Sequence, residues 1–110
     1  RSGSRLNQFE FAASLMATSG PRTTPAGMPV LRFQVQHTSE QQEAGKTRPV
    51  IVEAEMVAYG KVAQELAKAK PGDQLRLIGF IDRKGARNPQ LELHVTGFKF
   101  ITELGILASA

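Results

Sequence analysis

The chain has 110 residues, the size of one ordinary domain, and its 41% hydrophobic and 22% charged content marks it as globular rather than disordered. It has no cysteine, which excludes a disulfide framework and a Cys-ligated zinc or redox site, and no apolar run approaches the roughly 20 residues of a membrane span. The formal net charge is +4, but Arg1 and Arg5 sit in Arg1-Ser2-Gly3-Ser4-Arg5-Leu6, which reads as an expression scar; without them the excess is +2, so the placement of charge matters more than its total.

Residues 1–6 read as a flexible lead, 7–101 as one domain and 102–110 as a C-terminal tail. No charged segment followed by an apolar stretch and a small-residue cleavage site opens the chain, so the expected location is the cytoplasm. The first strand runs from Asn7 to Ala17, with Phe9, Phe11, Ala13 and Leu15 on one face. Small residues in its middle, Ala12, Ala13 and Ser14, suit a sharply curved backbone. Thr18 to Gly27 is a loop rich in Ser, Gly, Thr and Pro that carries one charge, Arg22. Within it Pro25 and Gly27 spell a tight turn.

Pro29 opens the second strand, where Leu31, Phe33 and Val35 alternate with Arg32, Gln34 and Gln36 up to His37. Thr38 to Thr47 is polar and is expected to be a hairpin loop, its first part long enough for a helical turn. The third strand, Arg48 to Val57, points Val50, Val52, Ala54 and Met56 inward and Ile51, Glu53 and Glu55 outward. The period then changes: Val62, Ala63, Leu66, Ala67 and Ala69 predict a helix over 61–70, stopped by Pro71-Gly72-Asp73. A fourth strand, Gln74 to Ile81, carries Gly79 at a position that suggests a bulge or barrel corner. Asp82 to Pro89 reads as a basic, turn-rich loop, and the fifth strand runs from Gln90 to about Ile101, interrupted near Gly97.

The order β-β-β-α-β-β predicts an all-β domain. The better fit is a five-stranded Greek-key barrel of the OB type with one short helix between strands 3 and 4; the alternative is an open α+β sheet. Nothing in the chain builds a catalytic or metal centre. His37 and His94 have no partner at ligand spacing, the serines lie in no nucleophile elbow, and the glycines form no phosphate-cradling loop. No enzyme activity and no cofactor are expected. The informative feature is the basic residues. Arg22 lies on the loop between strands 1 and 2; Arg32, Lys46 and Arg48 belong to strand 2 and the hairpin after it; Arg83, Lys84 and Arg87 lie between strands 4 and 5. An OB barrel is expected to bring these seven to one side, where they neutralise phosphates. Phe80, on the polar side of strand 4, is the expected stacking platform, with Tyr59 as a second candidate.

The phrase Thr24-Pro25-Ala26-Gly27-Met28-Pro29-Val30-Leu31-Arg32-Phe33 resembles the strand 1–2 turn of bacterial single-stranded-DNA-binding proteins. His37-Thr38-Ser39, Gln42-Glu43-Ala44-Gly45, Pro49-Val50-Ile51-Val52, Gly79-Phe80-Ile81 and Leu93-His94-Val95 place the chain nearer the primosomal branch of that family, over about Asn7 to Ile101. The resemblance implies an OB-fold homodimer that binds single-stranded DNA and acts in replication restart alongside the PriA helicase and DnaT. By position it assigns DNA contacts to Arg22, Arg48, Lys84 and Arg87. Lys46 and Ile51 stand where relatives can carry stacking aromatics, and Thr38 where a relative can carry Arg, so stacking is expected to be weak here. Two other readings stay open: a protein-interaction module that recruits a helicase with little DNA binding, and an RNA-binding OB domain.

Overall fold

The computed structural model describes residues 5–102 and 105–106. Of the expected lead, residues 1–4 lie outside that range, as do 103–104 and 107–110 of the expected tail. The elements are β1 (Phe9–Thr18), β2 (Arg22–Thr23), β3 (Pro29–Glu43), β4 (Lys46–Tyr59), α1 (Lys61–Leu66), β5 (Gln74–Gly85), β6 (Asn88–Thr102) and β7 (Gly105–Ile106).

The five long strands close on themselves in the order β1-β5-β6-β4-β3, and β3 returns to β1. Closure depends on β1 serving two neighbours. Its first half, Phe9–Ser14, pairs with Gly79–Gln74 of β5; its second half, Ser14–Thr18, pairs with Gln36–Phe33 of β3, with a bulge between Leu15 and Ala17. The small residues Ala12, Ala13 and Ser14 lie where the strand changes partners, so the curvature expected of them is used here. The last seam is short: β4 and β6 run parallel over Met56–Ala58 and Leu93–Val95 only.

The core follows the alternation read from the sequence. Leu15, Leu31, Phe33, Val35, Met56, Leu66, Leu75 and Leu77 are at most 2% exposed. Alanine at Phe33 would remove about 3–5 kcal/mol of packing. The helix is shorter than its periodicity suggests. After Leu66 the chain tightens into i→i−3 hydrogen bonds, Lys68 N–H to Glu65 O and Ala69 N–H to Leu66 O, because Pro71 disfavours helical torsions at Lys70. Ala63, Leu66 and Ala69 still reach the core, and α1 packs against β3, β4 and β6 at one end of the barrel.

Two segments depart from expectation. Thr38–Thr47 is not a loop: β3 and β4 stay paired from Thr38↔Ile51 out to Glu43↔Lys46, as a two-stranded arm. Asp82–Pro89 likewise belongs mostly to β5 and β6, joined by a turn at Ala86-Arg87. Residues 38–47 and 82–89 carry almost no large apolar side chain, so no hydrophobic period marked them as strands. The interruption expected near Gly97 is a bulge in β6: Ile78 pairs with Gly97 and Gly79 with Val95, which leaves Thr96 as the extra residue, and the strand continues beyond it to Thr102. Because β4 and β6 are parallel, the two arms leave the barrel at the same end. From Met56 back to Lys46 is ten residues, about 33 Å, and from Leu93 back to Asn88 is five, about 17 Å.

The longer arm ends in a two-residue turn, Ala44-Gly45, with both residues at positive φ, 54° and 80°. That turn matches strand twist but strains any residue with a Cβ. Ala44→Asn is expected to stabilise the protein by about 0.5–1 kcal/mol, since asparagine tolerates this conformation. Thermal melting should shift up by about a few degrees; an unchanged or lower midpoint would count against the turn geometry.

Candidate nucleic-acid interface

The turn Thr24–Gly27 is closed by Gly27 N–H to Thr24 O and by Met28 N–H to the Thr24 hydroxyl. It folds β2 back onto β3, pairing Arg22 with Val30. Arg22 and Arg32 therefore line one cleft with Ser19 and Val30, about 260 Å³ in volume. Arg32 is not free in it. Its guanidinium donates to Glu92 Oε2 at 2.5 Å, and Glu92, with a side chain only 8% exposed, is the one buried charged residue among those described. That hydrogen bond is the main reason the Arg32 pKa is held above its ordinary value; partial burial opposes it, and the charges of Glu92, Tyr59 and Glu55 add to it.

Register explains the pairing. Arg32 stands beside Val57, Val57 beside His94, and His94 beside Phe80, so one outward-facing row crosses β3, β4, β6 and β5. Glu92 is two residues from His94 on the same face. The His94 ring is stacked between two aromatics: Phe80 at 4.8 Å and 6° from parallel, and Tyr59 at 5.8 Å and 16°. Phe80 is 38% and Tyr59 42% exposed, so the outer edges of the stack face water. The three residues come from three strands far apart in sequence. Phe80 was legible as an aromatic on a polar face, and Tyr59 only as a second candidate platform with no indicated position relative to it. Nothing in the sequence marked His94 as the centre of a stack, or Glu92 as buried, since Glu92 alternates with Leu91 and Leu93 as a solvated residue does.

Beyond Phe80, strand alternation brings Asp82 and then Lys84 to the same outer face of β5, with Arg87 in the turn beyond. Arg83 falls on the opposite face. All three basic residues are exposed. On the longer arm, Lys46 and Arg48 share the face that continues the barrel interior, and Arg48 bonds Glu43 at 3.1 Å. The outward face of β4 carries Glu53 and Glu55, which with Met16, Gln34, Val35 and Ala54 line a separate cleft of about 250 Å³.

The seven basic residues therefore divide. Arg22 sits level with Tyr59, and Lys46 is thirteen residues back along β4, about 43 Å away along the strand. An outer-face path runs from Arg22 past Arg32, the aromatic stack and Phe80 to Lys84 and Arg87. Lys46 and Arg48 are separated from that path by Glu53 and Glu55. The arrangement suits an extended polyanion carrying flat groups: cations for the backbone and ring faces for the bases.

Residues 7–97 match a family model described as another single-strand binding protein family. The replication restart protein PriB of Nitrosomonas europaea is 34% identical over 95 residues, covering 86% of this chain and 88% of the relative. That of Bordetella pertussis is 32% identical over 90 residues, covering 82% and 84%. Among solved structures, PriB from Ralstonia solanacearum superposes with a TM-score of 0.79 at 29% identity, over 86% of this chain and 97% of its own. The single-stranded DNA binding protein of Thermus aquaticus reaches 0.73 at 19% identity over 93% of this chain and 53% of its own, a likeness of fold alone.

Proposed function

The chain belongs to the PriB family of replication restart proteins, within the single-strand binding proteins and their OB fold, and from that footing we propose that it is a non-enzymatic adaptor that binds single-stranded DNA in the bacterial cytoplasm and carries it to the PriA helicase, with DnaT, as a homodimer. The observation that supports this reading most is the outer-face path from Arg22 through the Tyr59–His94–Phe80 stack to Lys84 and Arg87. DNA contacts fall to Arg22, Phe80, Lys84 and Arg87 along that path, with Arg83, Lys46 and Arg48 flanking it and Arg32 held in reserve by Glu92. Charge dominates, and the one stacked platform gives little base specificity. Among the described residues no helix is long and apolar enough to cross a membrane.

Removing the platform separates stacking from charge. Phe80→Ala is expected to lower affinity about five- to tenfold, at the lower end of the about 1–3 kcal/mol per stacked base, and to leave the salt dependence unchanged. A Phe80→Ala protein whose salt slope falls would show that the ring holds basic residues in place rather than a base.

One observation favours a second reading, a module that recruits a helicase with little DNA binding: Ile51, 68% exposed on the outward face of the long arm, offers an apolar side chain to a protein partner where a stacking aromatic is missing. Separate titrations with labelled oligonucleotide and with the helicase distinguish the two. The proposed function requires binding to both; tight helicase binding with negligible DNA binding selects the second. Competition between DNA and RNA oligomers of one sequence tests the preference for DNA.

A further inference from the structure

Glu92, Arg32 and His94 form a cluster that simple phosphate binding does not require. Arg32 occupies one oxygen of the Glu92 carboxylate at 2.5 Å. His94 Nε2 stands 3.7 Å from the other oxygen. The carboxylate is buried, so Arg32 cannot leave it for a phosphate without exposing an uncompensated charge inside the protein, which is strongly unfavourable. A second cation in place would remove that obstacle. A protonated His94 would be that cation: its Nε2 stands 3.7 Å from the free carboxylate oxygen, and its ring is held there by stacking on Phe80 and Tyr59.

We propose that Glu92 and His94 form a proton-linked latch on Arg32: when single-stranded DNA binds, His94 takes up a proton and pairs with Glu92, and Arg32 is released to a phosphate. The proton comes from solvent and adds to the unprotonated ring nitrogen. One proton is gained and one phosphate neutralised, and the charge at Glu92 stays compensated throughout. His94 is thus a positioning residue, acting through Arg32.

The other groups facing His94 do not supply this exchange. Phe80 from β5 and Tyr59 from β4 present ring faces. Asp82 of β5 lies opposite Glu92, and its carboxylate accepts the Arg83 backbone N–H. Glu55 of β4 lies beyond Arg32 and adds to the negative field that any released cation must leave.

The latch rests on the DNA-binding reading above, and its test separates the two. Labelled single-stranded oligonucleotide is titrated at fixed ionic strength between about pH 5 and 8, the range in which histidine changes charge. Binding that recruits a proton is strongest at low pH and weakens as pH rises, by up to about tenfold per pH unit for one proton. Calorimetry in two buffers of different ionisation enthalpy should show proton uptake on binding. His94→Phe keeps a ring in the stack and is expected to abolish both the slope and the uptake; His94→Gln serves the same purpose should the first variant fold poorly. Glu92→Gln removes the charge that retains Arg32. It is expected to give pH-independent binding at least as tight as that of the unmodified protein at low pH. His37, whose ring is stacked on Phe11 and bonded to Ala12 O and the Ser39 hydroxyl, is the control: His37→Gln should keep the slope. DNA binding that is flat in pH, or a slope that survives His94→Phe or disappears in His37→Gln, overturns the latch alone. Absence of DNA binding at every pH overturns the latch and the function beneath it.

Discussion

Replacing Lys84 and Arg87 together by alanine is expected to weaken single-stranded-DNA binding about tenfold or more near 0.1 M salt, and to lower the slope of log affinity against log salt by about 1.4, since each phosphate contact on a single strand contributes about 0.7. Both side chains are exposed, and neither shares a salt bridge among the described residues. Their whole charge is therefore available to a phosphate. Arg32, Arg48 and Arg76 differ, being paired with Glu92, Glu43 and Glu10. The companion double variant, Lys46→Ala with Arg48→Ala, is expected to cost less, about threefold. Glu43 already shares the Arg48 charge, and Glu53 and Glu55 stand between that arm and the aromatic stack. Neither pair is buried, so both doubles should melt within about 0.5 kcal/mol of the unmodified protein in stability. Fluorescence anisotropy across a salt series reads both effects. Equal losses in the two doubles would place the DNA on the long arm as well, and no loss in the first would remove β5–β6 from the path.

Gly79→Ala is expected to destabilise the fold by more than about 4 kcal/mol, enough to leave little folded protein at 37 °C. A Cβ at Gly79 would lie 1.7 Å from the His94 carbonyl oxygen and 2.8 Å from its carbonyl carbon. Those atoms are backbone, so no rotamer change relieves the overlap, and β6 would have to leave β5. The bulge at Thr96 of β6, opposite Ile78 and Gly79, sets the rung on which Phe80 meets His94. Gly97 is the control. It faces Ile78 in the same bulge, and a Cβ there meets nothing within 4 Å, so Gly97→Ala should change stability by about 1 kcal/mol or less. Circular-dichroism melts of the two variants check this. A Gly79→Ala protein that melts like the unmodified one would contradict the register of β5 on β6.

The barrel was legible where burial imposed a period. Leu31, Phe33 and Val35, or Leu75, Leu77 and Gly79, alternate because one face meets the core, and Ala63 and Leu66 keep helical spacing for the same reason. The arms were not legible. Residues 38–47 and 82–89 have water on both faces, so their sequence obeys hydrogen-bonding and turn chemistry without a hydrophobic rhythm. The phrase Ala44-Gly45 held the only local sign of a tight hairpin, and alanine at the first position obscured it. At the candidate site, the charges were visible one residue at a time, but their pairing was not. Whether Arg32 is free depends on Glu92, sixty residues later, and that contact exists only because β6 joins β4 at Met56–Ala58. The Tyr59–His94–Phe80 stack is hidden for the same reason: it is a property of three strands in register.

The central claim is that this outer face binds single-stranded DNA chiefly through charge. Titration of a labelled single-stranded oligonucleotide at about 0.05 M and about 0.2 M salt tests it most directly. With three unpaired phosphate contacts, at Arg22, Lys84 and Arg87, the slope of about 0.7 per contact predicts roughly a twentyfold loss of affinity between the two conditions. Binding that is equally tight at both, or undetectable at the lower salt, would contradict it.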